Sequence, residues 1–478
     1  MPVNEPPTGK PPDSQGSWAP HRPITRTISL LRRPPRLAQA ERGLGLIGGL
    51  GVLVLIGTLL LALPISSVRR PLPINEAFFT AVSAVATTGL SVITPGRDLS
   101  VFGQIVLLLL MQLGGIGFMV TAITVFRLAG KRVTFAERLT LRDSLGLISA
   151  SQILRLTTRI LGVVLLVEAI GATLLWINWI PQFGAGRAAY YAIFHSVSAF
   201  TNASFDLFAV TPTSAARFPT DNITLLILAT LIFLGGIGIP VISDMIQYRQ
   251  RRRFSLHTRI VLITSASLIM AGTILFFTVE QKYHLVFGDE SAGRVLMLSF
   301  FHSVASRTAG FTVTTQFGQL EPANVLLLTF LMFVGASPAS MGGGITTSTF
   351  AILMLALGSF VRGRREISAG RRVIPLELLY KATAVLTGAV MIILVSTWLL
   401  LFTQQNVSLS AALIESVSAF STTGYSLALT PRLNLFGQLL IAGLMFFGRV
   451  GTLTIIVTLA RPTVPPAVSY PEERILLG

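Results

Sequence analysis

The sequence predicts an all-α integral membrane fold of four similar units, with eight transmembrane helices and four re-entrant loops gathered about one axis. Three observations predict it. The 478 residues are 52% hydrophobic and only 12% charged, against about 25% charged in ordinary globular chains. Several apolar runs exceed the roughly 20 residues that cross a bilayer. A short stretch that closes on small polar residues recurs four times, roughly 110 residues apart, and a repeat of that kind governs how every other element is read.

The copies are Val82-Ser-Ala-Val-Ala-Thr-Thr-Gly-Leu90, Ser196-Val-Ser-Ala-Phe-Thr-Asn-Ala-Ser-Phe205, Ser303-Val-Ala-Ser-Arg-Thr-Ala-Gly-Phe311 and Ser416-Val-Ser-Ala-Phe-Ser-Thr-Thr-Gly-Tyr425. Each lies between a short apolar helix and a further apolar run, so one unit reads as span, half-helix, loop, span (an M1-P-M2 repeat). Residues 1–42, rich in Pro and Arg, read as a disordered tail without a cleaved leader. Repeat 1 (43–130) holds a span near 44–64, a half-helix at 75–86 and a span at 101–127. Repeat 2 (131–253) holds spans near 157–179 and 222–246 around a half-helix at 188–200. Repeat 3 (254–372) has a span near 259–280, a half-helix at 293–306 and a long segment, 323–360. Repeat 4 (373–461) has spans near 382–403 and 434–460 around a half-helix at 408–420, and a tail, 462–478, follows.

The net charge of +17 has a positional cause. Lys and Arg cluster in 1–42, 127–159, 249–259, 362–381 and beyond 460, all on one face of this topology. Under the positive-inside rule that face is cytoplasmic, with both termini inside and no nucleic-acid partner needed. The sequence has no cysteine, which excludes disulfides and thiolate chemistry. Gly43-Leu-Gly-Leu-Ile-Gly48 matches a dinucleotide fingerprint but lacks the strand and acidic residue that motif needs; it reads as a helix-packing stripe. Asn202-Ala203-Ser204 matches a glycosylation acceptor in a place that machinery does not reach.

A half-helix that stops within the membrane is tolerable only around a water-filled path. Four of them, entering from outside, aim C-terminal dipole ends of about −0.5 charge at one point. The loops that follow can present rings of carbonyl oxygens to a bare cation. The filter residues are therefore Thr87, Thr88 and Gly89; Asn202, Ala203 and Ser204; Thr308, Ala309 and Gly310; and Thr422, Thr423 and Gly424. No tip carries Asp or Glu, which argues against a divalent filter and for K+ or Na+.

The segment 323–360 is too long for one span and is broken at 335–347. Pro338 and the run Gly342, Gly343, Gly344 interrupt a helix, and Ser337, Ser340, Thr346 and Thr347 add hydroxyls. We read it as an intramembrane gate below the filter; a static kink is the plainer alternative. Arg449 lies in an otherwise apolar stretch, which is a functional hypothesis by default: with the 335–347 loop it limits flow, or else it pairs with helix carbonyls. Arg307, beside the third loop, is expected to hold the filter's shape, with Glu415 as a candidate partner. Glu168 lies inside a span with no evident partner.

Ser306-Arg-Thr-Ala-Gly-Phe311, Gly335-Ala-Ser-Pro-Ala-Ser-Met-Gly-Gly-Gly-Ile345, Gly448-Arg-Val-Gly451 and the final Tyr470-Pro-Glu-Glu-Arg-Ile-Leu-Leu-Gly478 resemble the Trk/Ktr/HKT superfamily of potassium transporters. The likeness is to its KtrB-type membrane subunits and covers nearly all of the chain beyond the first tail. It implies potassium uptake through a single-chain pseudo-tetrameric pore, a homodimer with a pore in each protomer, and a cytosolic ring of nucleotide-binding RCK-type, KtrA-like subunits. It also implies an inner-membrane location and, in some systems, sodium dependence. No cytoplasmic loop has room for a nucleotide-binding domain of about 100 residues, so any nucleotide acts through a separate subunit. Two departures stand out. Relatives often carry Lys after Gly-Gly-Gly-Ile, where this chain has Thr346. Ser204 replaces a filter glycine, and in related plant transporters a serine at such a place, in the first copy, goes with sodium permeation. A sodium-permeable transporter of the same fold is thus the alternative. A solute carrier with inverted repeats fits four same-direction repeats poorly. No nucleophile–base pair or acidic dyad suggests an enzyme.

Overall fold

The structure, a computed structural model, describes residues 35–116, 153–208, 218–314, 316–364, 366–370 and 372–451. Expectations for residues 1–34, for most of the basic segment 127–159 and for 452–478 lie outside these. The chain is helical almost throughout. The exception is a two-residue hairpin, Ser368–Ala369 with Arg372–Val373, which the sequence reading did not foresee.

Four short helices fall where half-helices are expected: Ile74–Val85, Ala185–Phe200, Ala292–Ala305 and Leu409–Phe420. Each packs on the long helix before it: Pro35–Ala62, Ile153–Phe183, Leu256–Tyr283 and Leu376–Thr403 respectively. The first of these begins at Pro35, inside the segment read as tail. Each short helix also packs on a helix of the preceding unit. Val101–Ile116 lies against Ala185–Phe200, Asn222–Gly236 against Ala292–Ala305, Pro322–Val334 against Leu409–Phe420, and Leu435–Val450 against Ile74–Val85. The order closes on itself, so four units in one chain form a ring.

Local chemistry starts the helices where loops end. Side-chain oxygens of Asp221, Ser255, Thr346, Ser408 and Asn434 accept from backbone N–H groups in the first turn, satisfying donors that a helix start leaves orphaned. Two apolar cores flank the axis. One joins Leu61, Phe79, Leu107 and Leu444; the other joins Trp179, Leu228, Phe301 and Leu328. The opposite faces carry exposed Leu59, Leu109, Leu166 and Phe402, the outward apolar coat that a bilayer solvates.

Eight unbroken spans do not appear among the described residues. Ile160–Phe183, Leu256–Tyr283 and Leu376–Thr403 are each long and apolar enough to cross alone, and Asn222–Gly236 with Ile239–Arg249 form a pair bent by 97°. The break expected only in the third unit recurs. Val101–Ile116, Asn222–Gly236, Pro322–Val334 and Leu435–Val450 all stop at a glycine-rich stretch after 13–16 residues. Gly238 (φ 88°) and Gly451 (φ 89°) turn the chain at matching places.

Close approach explains the glycines before these stops. A Cβ on Gly114, Gly235 or Gly448 would collide with the carbonyl of Val85, Phe200 or Phe420, the last residue of that unit's own short helix. Gly235→Ala and Gly448→Ala should each destabilise the protein by about 1–3 kcal/mol, as overpacking does. Thermal unfolding in detergent measures this; unchanged midpoints would refute the contact.

Candidate functional site

The loops that follow the short helices share one backbone signature. The left-handed region is occupied at Thr87 and Gly89 (φ 53° and 85°), at Asn202 and Ser204 (56° and 62°), at Thr308 and Gly310 (82° and 49°), and at Thr422 and Gly424 (51° and 100°). Three of the four first positions are threonine, for which a positive φ is an outlier. Such strain costs of order 1–3 kcal/mol per residue and persists only where the surroundings over-determine it. The surroundings here are main-chain bonds: Thr88, Ala203 and Thr423 N–H each donate at 2.8 Å to the carbonyl five residues earlier, and Gly310 N–H does so at 2.9 Å.

The loops converge. A Cβ on Gly310 would collide with the Thr423 carbonyl, and one on Gly424 with the Thr88 carbonyl, while lying 3.0 Å from Ser204. Ser204 Oγ donates to the carbonyls of Ala309 and Thr423, at 2.7 Å in the second case. Ala203, Thr88 and Asn202 are fully buried. The twelve residues expected to act together therefore lie together, and the second loop's hydroxyl reaches carbonyls of the third and fourth.

On the other side of the ring lies the segment between Val334 and Thr347. Thr87 Oγ1 donates to the Met341 carbonyl at 3.0 Å, Gly343 N–H donates to Thr422 Oγ1 at 2.8 Å, and the Asn202 side-chain amide pairs with the Thr308 hydroxyl at 3.0 Å. A Cβ on Gly342 would collide with the Thr308 hydroxyl, and one on Gly343 would fall 2.9 Å from that of Thr422. The consecutive glycines thus let a backbone press against a ring of threonines. The segment is moored to the bent pair: Ser337 and Met341 N–H donate to the Gly236 and Gly235 carbonyls at 3.0 and 3.2 Å, and Ile239 N–H donates to Ala339 at 3.0 Å. Thr347 Oγ1 donates to Ser337 Oγ at 3.0 Å. Pro338 and Ser340 are half-buried. A Cβ on Gly344 would stand 3.2 Å from Ser421.

Two arginines hold this segment. Arg307 Nη2 donates to the Gly335 carbonyl at 3.0 Å. Arg449 donates to the carbonyls of Met341, Gly114 and Gly115, the last at 2.7 Å. Helix carbonyls are thus among its partners, as the plainer alternative held, but the segment's own Met341 is another. Glu415 does not pair with Arg307. It accepts from Ser426 Oγ at 2.6 Å and Thr430 Oγ1 at 2.5 Å, because the fourth loop turns back over its own helix. Glu168 is partnered: Gln112 Nε2 donates to it at 2.8 Å.

Sequence reasoning missed three braces behind the loops. His195 Nε2 lies 2.8 Å from Asp206 Oδ1. His302 Nδ1 lies 3.1 Å from the Tyr425 hydroxyl, which donates to the Phe311 carbonyl at 3.1 Å. Glu415 is the third. His195, His302 and Glu415 each stand immediately before a Ser-Val pair, one on each of three short helices; that shared position was the available signal.

A ring of four helix–loop units around strained carbonyl-lined loops is the architecture of an integral membrane ion transporter. Residues 46–464 match the family model for TrkH, "Cation transport protein", and the chain belongs to that family; it is a transporter, not an enzyme. It is 36% identical to the Ktr system potassium uptake protein B of Vibrio alginolyticus, over 91% of this chain and 94% of that one. It is 33% identical to the protein of the same name from Bacillus subtilis, over 90% and 95%. It is 32% identical to the potassium/sodium uptake protein NtpJ of Enterococcus hirae, over 90% and 96%. The potassium transporter TrkH of Vibrio parahaemolyticus shares the fold, with a TM-score of 0.68 at 19% identity over 88% of this chain and 85% of that one.

Proposed function

We propose that this chain is the pore-forming subunit of a Ktr-like potassium uptake system in the inner or plasma membrane. The four repeats 43–130, 131–253, 254–372 and 373–461 each contribute one wall of the ion filter. The observation that carries this reading is the paired left-handed residues at equivalent places in four converging loops, because such backbone turns carbonyls inward and a ring of carbonyls replaces a cation's hydration shell. The chemistry of the lining is neutral oxygen, which suits a monovalent ion. K+ is the transported ion, in line with the names of the relatives in Vibrio and Bacillus.

Residues 335–347 and Arg449 form the gate. The segment lies directly against Thr87, Thr308 and Thr422, so an ion leaving the filter must pass it. A separate nucleotide-binding, RCK-type KtrA-like subunit docks on the basic cytoplasmic face and biases the gate, and the membrane subunit works as a homodimer.

A second reading, a weakly selective carrier of K+ and Na+, is favoured by one observation: the Ser204 hydroxyl occupies two carbonyls of the ring. Rubidium tracer uptake into vesicles holding the purified protein tests both. Saturable uptake suppressed by K+ more than by Na+ is the expected result. Equal suppression would favour the second reading, and no uptake, with or without a KtrA-like subunit, would overturn the pore.

A further inference from the structure

A cavity of about 990 Å³ opens between helices Leu256–Tyr283 and Thr347–Val361 and the short hairpin. Its interior is apolar, walled by Ile263, Phe350 and Met354. Its mouth carries three guanidinium groups, those of Arg253, Arg259 and Arg372. Among the described residues none of the three has an acidic partner: the ion pairs present are Arg70–Glu76, Arg97–Asp98, His195–Asp206 and Lys381–Glu377. Unpaired positive charge at one end and a continuous apolar slot behind it is the chemistry of a molecule with an anionic head and a hydrocarbon tail. Basic pockets between transmembrane helices on the cytoplasmic side bind acidic lipid headgroups for this reason.

We propose that this cavity is a binding site for an anionic phospholipid of the inner leaflet, with the phosphate on Arg253, Arg259 and Arg372 and an acyl chain between the two helices. The position gives the lipid a consequence. Helix Thr347–Val361 starts at its cap Thr346, directly after the Gly342–Ile345 stretch, and Phe350 is one turn into that helix. A chain wedged there fixes the helix against Leu256–Tyr283 and so limits the travel of the segment that contacts Thr308 and Thr422. Binding does not depend on the gate; the effect on flux rests on the gate reading above.

The test uses the full chain in nanodiscs of phosphatidylcholine with or without phosphatidylglycerol, and native mass spectrometry to count retained phosphatidylglycerol. Near an anionic surface each arginine contributes about 1 kcal/mol, so the double substitution Arg259→Gln, Arg372→Gln should weaken binding roughly 30-fold. The Lys, Lys counterpart should retain it, which separates charge from folding. Ala271→Trp, which fills the slot, should exclude the lipid with the arginines intact. Unchanged retention in both the Gln, Gln and Trp variants overturns the proposal. So does a loss of dimer in these variants with the lipid count preserved, because a second copy would then fill the slot. Rubidium uptake in the same discs' lipid mixtures is a separate readout: lipid bound without any change in flux leaves the site standing and removes its link to the gate.

Discussion

Ser204→Gly should sharpen discrimination of K+ over Na+ by roughly tenfold. The side chain acts in two ways. Its hydroxyl donates to the Ala309 and Thr423 carbonyls, so two oxygens that would face a cation are already engaged. A hydrogen bond is worth about 1 kcal/mol net, and a difference of 1.4 kcal/mol is tenfold in affinity. The serine also sits at φ 62°, a conformation that glycine adopts without strain, so the substitution relaxes the loop as it frees the carbonyls. Potassium gains more than sodium, because a ring of well-spaced carbonyls suits the larger ion, whereas a ring drawn inward by a bridging hydroxyl favours the smaller. Calorimetric titration of both ions into each form decides it. Equal K+/Na+ affinity ratios in the two proteins would sink the idea, even if both affinities changed.

Why Ser204 could be singled out, and its neighbours' behaviour could not, follows from what each signal depends on. The repeat is written in local sequence: a short apolar run closing on Ser, Thr and Gly marks a half-helix and a turn, and the observed helix ends lie within a few residues of those read. Composition and the basic clusters carried the membrane topology for the same reason. The missing parts depend on contacts across the ring. Gly114, Gly235 and Gly448 look like packing glycines until the Val85, Phe200 and Phe420 carbonyls are seen against them. The break they cause is hidden in apolar runs such as Leu435–Val450, where only one glycine turn ends the helix. Likewise Glu415 offered itself to Arg307 on charge alone. A carboxylate that can accept from two nearby hydroxyls, Ser426 and Thr430, needs no distant cation, and Arg307 found a carbonyl, Gly335. Charge matching in sequence overestimates ion pairs wherever backbone oxygens point inward.

Arg449→Gln should raise the maximal uptake rate roughly tenfold or more, with little change in apparent K+ affinity. The arginine ties Met341, at the heart of the segment under the filter, to Gly114 and Gly115, at the end of the first unit's broken helix. Hydrogen bonds to a charged group contribute about 1.5–3 kcal/mol each, so a single lost bond of this kind shifts a two-state segment by a factor of ten or more. Apparent affinity is spared because none of the carbonyls it engages belongs to the twelve filter residues. A second substitution separates the two ways in which Arg449 could slow an ion. Lysine keeps the positive charge but not the fork that reaches two chain segments at once. If Arg449 is chiefly an electrostatic barrier, Arg449→Lys stays slow. If it is chiefly a latch, Arg449→Lys is nearly as fast as Arg449→Gln. The three-carbonyl geometry favours the latch, so both variants are expected to be fast in vesicle uptake assays. Wild-type rates in Arg449→Gln would remove this residue from the gate, leaving Arg307 and the glycine–threonine contacts to hold it.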